Sequence, residues 1–274
     1  MHDMTTIEAS PEVIDLRESQ FVDLRVLGAR LNALSPDDIF RFCIEVTRFR
    51  SGPFVIASQN MHGVHTYLTD DNFASLHEHP RTLVHIDGTP LVWLGRMKGY
   101  DLTNDHRTGC IDWIPDLLDL AIDQHWRVFY LGSTNDVVER GADELRARHP
   151  GLNLRTRHGY FDSAPDSLEN YRVVREINDY QPDILLVGMG MGRQERWILD
   201  NLDVLDAQVV ITTGAMMDLV AGELRMAPRW LGPLGLEWAF RLWDDAPRVA
   251  HRYLVEPWLI LWELARGGGR ASRP

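Results

Sequence analysis

The sequence predicts an α/β protein: a Rossmann-like parallel sheet with helices on both faces, followed by a small helical appendage at the C-terminal end. Three observations carry this expectation. Five short apolar runs recur along the chain, amphipathic stretches of helical length separate them, and the composition changes from residue 225 onward. Runs that are apolar throughout mark strands buried on both faces, and strands alternating with helices mark a parallel sheet.

Residues 1–20 are polar and aperiodic and read as a mobile leader, without the basic start and apolar core of a signal peptide. Order is expected from about Val22, opening an α/β domain over 21–224. The first run, Phe54-Val-Ile-Ala57, ends in Ser58-Gln-Asn60, and the second, Thr82-Leu-Val-His-Ile86, in Asp87-Gly-Thr-Pro90. The third, Arg127-Val-Phe-Tyr-Leu131, leads into Gly132-Ser-Thr-Asn135, with helical patterns at 113–125, 136–149 and 167–180. The fourth, Ile184-Leu-Leu-Val187, delivers Gly188-Met-Gly-Met-Gly-Arg-Gln-Glu-Arg-Trp197, and the fifth, Val209-Val-Ile-Thr212, ends in Thr213-Gly-Ala215. Ligands of parallel sheets bind beyond the carboxyl ends of the strands, so five polar, glycine-rich strand ends at one edge suggest a site.

Within that set Asp87 is the one carboxylate directly following a strand, which makes it the candidate general base; the competing reading makes it a cap for the next helix. The turn at 188–194 opens a helix, where bare N–H groups and the helix dipole favour phosphate. The competing reading is a turn that only reverses the chain or lets the helix pack closely.

The segment 225–266 carries the compositional change. From Arg225 to the end there are eight arginines against five carboxylates, and five of the nine tryptophans: Trp230, Trp238, Trp243, Trp258 and Trp262. Interspersed arginines and aromatic rings suit a membrane interface. Composition alone favours the other reading, tryptophans forming the core of a helical subdomain. The tail 267–274 reads as disordered.

Bulk properties exclude several classes. A formal net charge of -12 over 274 residues argues against nucleic-acid binding. Cys43 and Cys110, the only cysteines, are too few for a disulfide framework or a zinc site and suit a reducing cytosol. No apolar run has the length of a membrane span, so a cytoplasmic protein is expected, free to lie on a membrane surface. A dinucleotide-binding dehydrogenase would want Gly-x-Gly-x-x-Gly after the first strand, where this chain has Ser-Gln-Asn.

In order, Ser58-Gln-Asn60, Asp87-Gly88, Thr108-Gly109, Leu131-Gly132, His158-Gly-Tyr-Phe161, the 188–197 turn, Gly214-Ala-Met-Met-Asp218, Ala221-Gly222, Ala227-Pro228 and Gly235-Leu-Glu-Trp-Ala-Phe-Arg-Leu242 with Pro247-Arg248 form an ordered series. This series resembles the bacterial WecG/TagA/CpsF glycosyltransferases, which transfer a sugar from a UDP-sugar to a lipid-linked acceptor in surface-polysaccharide synthesis. The resemblance implies an inverting transferase with Asp87 as base and a polyprenyl-diphosphate-linked acceptor, working at the inner face of the cell membrane. It also implies substrate contacts from Ser58, Asn60, Gly132, Gly190, Arg193 and Gln194, and from appendage cations Arg241, Arg248 and either His251 or Arg252. The family's arginine before Thr-Gly falls on His106, with Arg107 beside it. Where relatives have Pro-Lys-Gln-Glu this chain has Gly192-Arg-Gln-Glu195, and where an arginine precedes Ala-Pro it has Met226, with Arg225 one place earlier.

No cofactor is expected. The chain has no Asp-x-Asp triplet, so arginines are expected to serve where other transferases use a metal, and Asp70-Asp71 and Asp244-Asp245 read as helix caps or solvated acids. The partner of Arg241 is open between a diphosphate and Glu237, four residues earlier on the same helical face. A non-catalytic nucleotide-sugar-binding scaffold and a homo-oligomer also remain open.

Overall fold

A computed structural model describes residues 23–232 and 234–266, except for the side chains of Arg229 and Arg248. The leader and tail expected at 1–20 and 267–274 lie outside the described residues. The elements run β1 (Asp23–Val26), β2 (Ala29–Asn32), α1 (Pro36–Phe49), β3 (Phe54–Gln59), α2 (Met61–Thr69), α3 (Asp71–Glu78), β4 (Thr82–Ile86) and α4 (Thr89–Met97). Then follow α5 (Cys110–Asp123), β5 (Arg127–Gly132), α6 (Asn135–Arg148), β6 (Asn153–Arg157), α7 (Leu168–Tyr180), β7 (Ile184–Gly188), α8 (Arg193–Asn201), β8 (Val209–Thr212) and α9 (Met216–Val220). The appendage comprises α10 (Glu237–Asp244), α11 (Ala246–Leu254) and α12 (Glu256–Ala265).

The six-stranded sheet is parallel throughout, in the order β4-β3-β8-β7-β5-β6. Alternate residues of each strand feed opposite layers, as the two-residue strand period requires. Ile56, Tyr130, Leu186 and Ile211 pack with Trp113, Leu117 and Met217 on one face. Val55, Leu131, Val187 and Val210 pack with Val173, Trp197 and Ile198 on the other. β5 leads on to β6 on one side and β7 to β8 on the other, so the strand order reverses between β5 and β7, the usual location of a ligand crevice.

Two features differ from expectation. β6, Asn-Leu-Arg-Thr-Arg, is a sixth strand; at the edge of the sheet it buries only Leu154, so no apolar run announces it. The antiparallel hairpin β1-β2 lies beside β4, and Asn32 Oδ1 accepts from the Val84 amide at 2.8 Å, partly satisfying the other edge.

The appendage overturns the composition-based reading of its tryptophans. Trp230, Trp238, Trp243, Trp258 and Trp262 are all exposed, Trp243 by 76% and Trp258 by 71%, with Leu254, Val255 and Leu261 beside them. Three helices of eight to ten residues supply one thin inner stripe, including Val249 and Ile260, and among the described residues no second layer covers the outer rings. Among the described residues no helix is long and apolar enough to cross a membrane.

Candidate active site

A cleft of about 320 Å³ opens at the carboxyl ends of β3 and β4, walled on one side by the sheet and on the other by the appendage. Asn60, His62, Asp87, Thr89, Trp238, Arg241, Arg252 and Tyr253 are among the residues that line it.

Asp87 follows β4, its backbone N–H donating to Gln59 O at 2.8 Å. The capping reading fails: the N-cap of α4 is Gly88, which holds φ +141°, and no side chain caps that helix. The open mouth of α4 therefore faces the cleft through Gly88, Thr89 and Pro90. Asn60 caps α2, its Oδ1 accepting from the Gly63 amide at 3.0 Å. That bond fixes the side-chain amide, which leaves Nδ2 to hydrogen-bond the Asp87 carboxylate.

The charges around Asp87 come from both halves of the protein. Burial pushes its carboxyl above the usual range; Arg241 pulls it back, Glu237 pushes it up again, and Arg107 and the Asn60 hydrogen bond pull it down. Arg107 donates through Nη1 to Asp112 Oδ2 at 3.0 Å and through Nη2 to Glu237 Oε1 at 2.7 Å, joining the sheet domain to α10. Its Nε is buried without an acceptor. Glu237 is thus committed to Arg107, and Arg241, one helical turn later, has no ion-pair partner among the described residues.

Several expected site residues are positioned by this geometry. Arg107 acts on Asp87 through its charge from behind the cleft wall, whereas the His106 Nδ1 accepts from the Thr103 amide at 2.9 Å and closes a local turn. Arg252 lines the cleft, whereas His251 turns to Glu256 at 3.6 Å. Arg225 pairs with Asp244 at 3.5 Å, and Asp70 caps α3. Arg248 lies in α11 with its side chain outside the described residues.

Three of the expected ligand contacts, Gln194, Gly132 and Ser58, have structural neighbours of their own. Gln194 is 0% exposed; its Oε1 accepts from the Gly214 amide at 3.2 Å and its Nε2 donates to Glu195 Oε1 at 2.7 Å. Glu195 in turn accepts from the Gly192 amide at 2.5 Å, and burial pushes its carboxyl up to about 7. The Gly192 amide at the mouth of α8 is therefore taken by the Glu195 carboxyl. Gly132 is buried at the β5/β7 contact, where a Cβ would stand 2.3 Å from Gly188 O. Ser58 lies inside β3, its amide donating to Thr212 Oγ1 at 2.9 Å. Of the remaining turn residues, Gly190 holds φ +88°, and Arg193 stacks on Tyr160 while donating to Phe161 O at 3.1 Å.

Sequence reasoning missed His62, Thr89, Trp238 and Tyr253. The available signal was helical spacing: Trp238 stands three residues before Arg241 on α10, so one helix face carries both into the cleft.

The model of the WecG/TagA/CpsF glycosyl transferase family matches residues 24–273. The chain belongs to this family. Among similar proteins are the N-acetylglucosaminyldiphosphoundecaprenol N-acetyl-beta-D-mannosaminyltransferases of two Staphylococcus aureus strains. That of strain NCTC 8325 / PS 47 is 32% identical over 184 residues, covering 65% of this chain and 70% of the relative. That of strain MRSA252 is 31% identical over the same shares. The WecG/TagA/CpsF chain described here is a glycosyltransferase, and its cleft joins an enclosed carboxylate to the appendage cations.

Proposed function

We propose that this glycosyltransferase moves a sugar from a UDP-sugar to a polyprenyl-diphosphate-linked saccharide, by direct displacement, with Asp87 as general base. The observation that carries this reading is the position of Asp87 at the cleft, ringed by Asn60, Arg107 and Arg241. An acceptor hydroxyl needs a placed proton acceptor as it attacks the anomeric carbon, and a carboxylate of raised pKa is a better one. Asn60 orients the carboxylate. Attack from the face opposite the leaving nucleotide inverts the anomeric configuration.

The departing UDP gathers negative charge on its diphosphate. Donors aimed at that charge lower the barrier more than uniform binding of the ground state would. Arg241 and Arg252, with the open mouth of α4, are the groups suited to this task, and they supply positive charge without a metal ion. The nucleotide is expected toward the crevice between β5 and β7, along the same edge of the sheet. The relatives' name specifies a lipid diphosphate acceptor, and the exposed tryptophans of the appendage suit the cytoplasmic face of the membrane in which such a lipid resides.

The test is UDP release from a panel of UDP-sugars with a short-chain lipid-diphosphate acceptor, in the presence and absence of a chelator. Transfer that survives chelation in the wild type and collapses in Asp87→Asn is expected. Undiminished turnover in the variant would remove Asp87 from the role of base, and loss of turnover on chelation would remove metal independence.

A further inference from the structure

Among the described residues outside the catalytic charges, His62, His65 and Glu256 form a cluster that sugar transfer does not account for. His62 and His65 stand one turn apart on α2, so both project from the same face. Glu256, in the first turn of α12 and only 5% exposed, meets them there, with His62 Nδ1 2.7 Å from Glu256 Oε2. One ligating atom from each of the three residues lies within 4.8 Å of the others.

We propose that His62, His65 and Glu256 bind one divalent transition-metal ion of the zinc class, clipping the appendage to α2. The donor set selects the ion. Two imidazoles and a carboxylate suit zinc, whereas magnesium and calcium prefer oxygen ligands throughout. The spacing is compatible as well. Tetrahedral bonds of about 2.0–2.1 Å place ligand atoms roughly 3.3 Å apart, inside the 4.8 Å within which the three donors lie. A fourth position is open to water or to His251, whose Nδ1 is 3.6 Å from Glu256 Oε1 and whose side chain is mostly exposed. Arg252 is close enough for its charge to act on His62 and opposes a dication, so the site is reversible rather than a permanent knot.

The ion joins two segments far apart in the chain. α2 begins directly after Asn60, which bonds Asp87, and α12 directly follows the helix that carries Arg252 and Tyr253. An occupied site adds to the stability with which α12 seats on α2 and supplies no group to the reaction, so transfer does not require it. It makes no claim on the donor diphosphate, and it stands whether or not Asp87 is the base.

The experiment uses the untagged full-length chain, stripped with a chelator and then titrated with Co²⁺ as a spectroscopic probe. The expected result is one equivalent bound with a visible d–d spectrum, and a higher melting temperature with Zn²⁺ but not with Mg²⁺. His65→Asn, on the partly exposed face of α2, is expected to lose both signals while melting like the metal-free wild type. Glu256→Gln retains a hydrogen-bonding group beside His62, removes the carboxylate ligand and gives the same loss; it carries the test if the first variant does not fold. A Co²⁺ spectrum and Zn²⁺ melting shift that persist unchanged in either folded variant, or that are missing from the wild type, overturn the proposal.

Discussion

The Asp87 corner and the 188–197 turn lie on the same edge of one sheet and are both marked in the sequence by glycine beside polar residues, yet they treat their polar groups in opposite ways. At the corner the charges are supplied by two separate parts of the chain and left facing a cleft. In the turn, Gln194, Glu195, Gly192 and Gly214 satisfy one another, with both side chains fully buried. A polar motif residue can thus serve by touching a ligand or by holding the backbone that shapes the site, and its burial and hydrogen-bond partners tell the two apart. The corner should respond to substitution in rate, and the turn in stability.

The largest effect should come at Asp87. Asp87→Asn is expected to lower kcat by about 10²–10⁴-fold, the usual contribution of a positioned base. The same variant should melt higher than the wild type at neutral pH. Folding raises the Asp87 pKa, so the stability linked to this group is complete below the unfolded value and declines as pH rises through the folded one. The asparagine removes that decline. In the wild type the acidic limb of the pH–rate profile should lie above the ordinary carboxylate range. A variant both slower and less stable at neutral pH would break the contrast between the two regions.

Next in size is Arg241→Gln, expected to cost about 10²-fold in turnover, as for loss of one donor to a developing charge, with little change in melting. Gln194→Ala tests the turn. It leaves the Gly214 amide and the Glu195 carboxyl short of a partner and should cost about 1–3 kcal/mol of folding free energy, read by urea denaturation. Near-wild-type kcat is expected in whatever fraction remains folded. The smallest effect belongs to the outer face: Trp258→Ser with Trp262→Ser should weaken sedimentation with anionic lipid vesicles while leaving the transfer rate to a soluble short-chain acceptor unchanged. Equal sedimentation of wild type and variant would detach these rings from membrane binding.

The difference between the regions also explains what was legible in the sequence. The five central strands are readable because they are buried on both faces and hence apolar throughout, while β6 escapes notice because an edge strand needs few apolar residues. Asp87 is readable by its position after a strand. Its circle of charges is not, because Arg107 and Glu237 lie 130 positions apart and meet only through the packing of α10. The burial of Gln194 escapes the sequence for the reverse reason: a motif records that a residue is needed, without recording which way it faces. The tryptophans of the appendage mislead a reading from composition because helical spacing marks a shared face without saying whether anything covers it.

The Arg107–Glu237 bridge has a consequence for timing. Glu237 and Arg241 sit on the same short helix and act on Asp87 with opposite signs, so withdrawal of α10 removes both influences together. The proton affinity of the base is thereby partly insulated from the state of the appendage. What α10 governs instead is occupancy: with it in place a donor meets cations and a narrow opening, and with it withdrawn the same base faces bulk water. With α10 in place Asp87 is closed in between the sheet and the appendage, an arrangement that keeps bulk water from competing for an activated sugar.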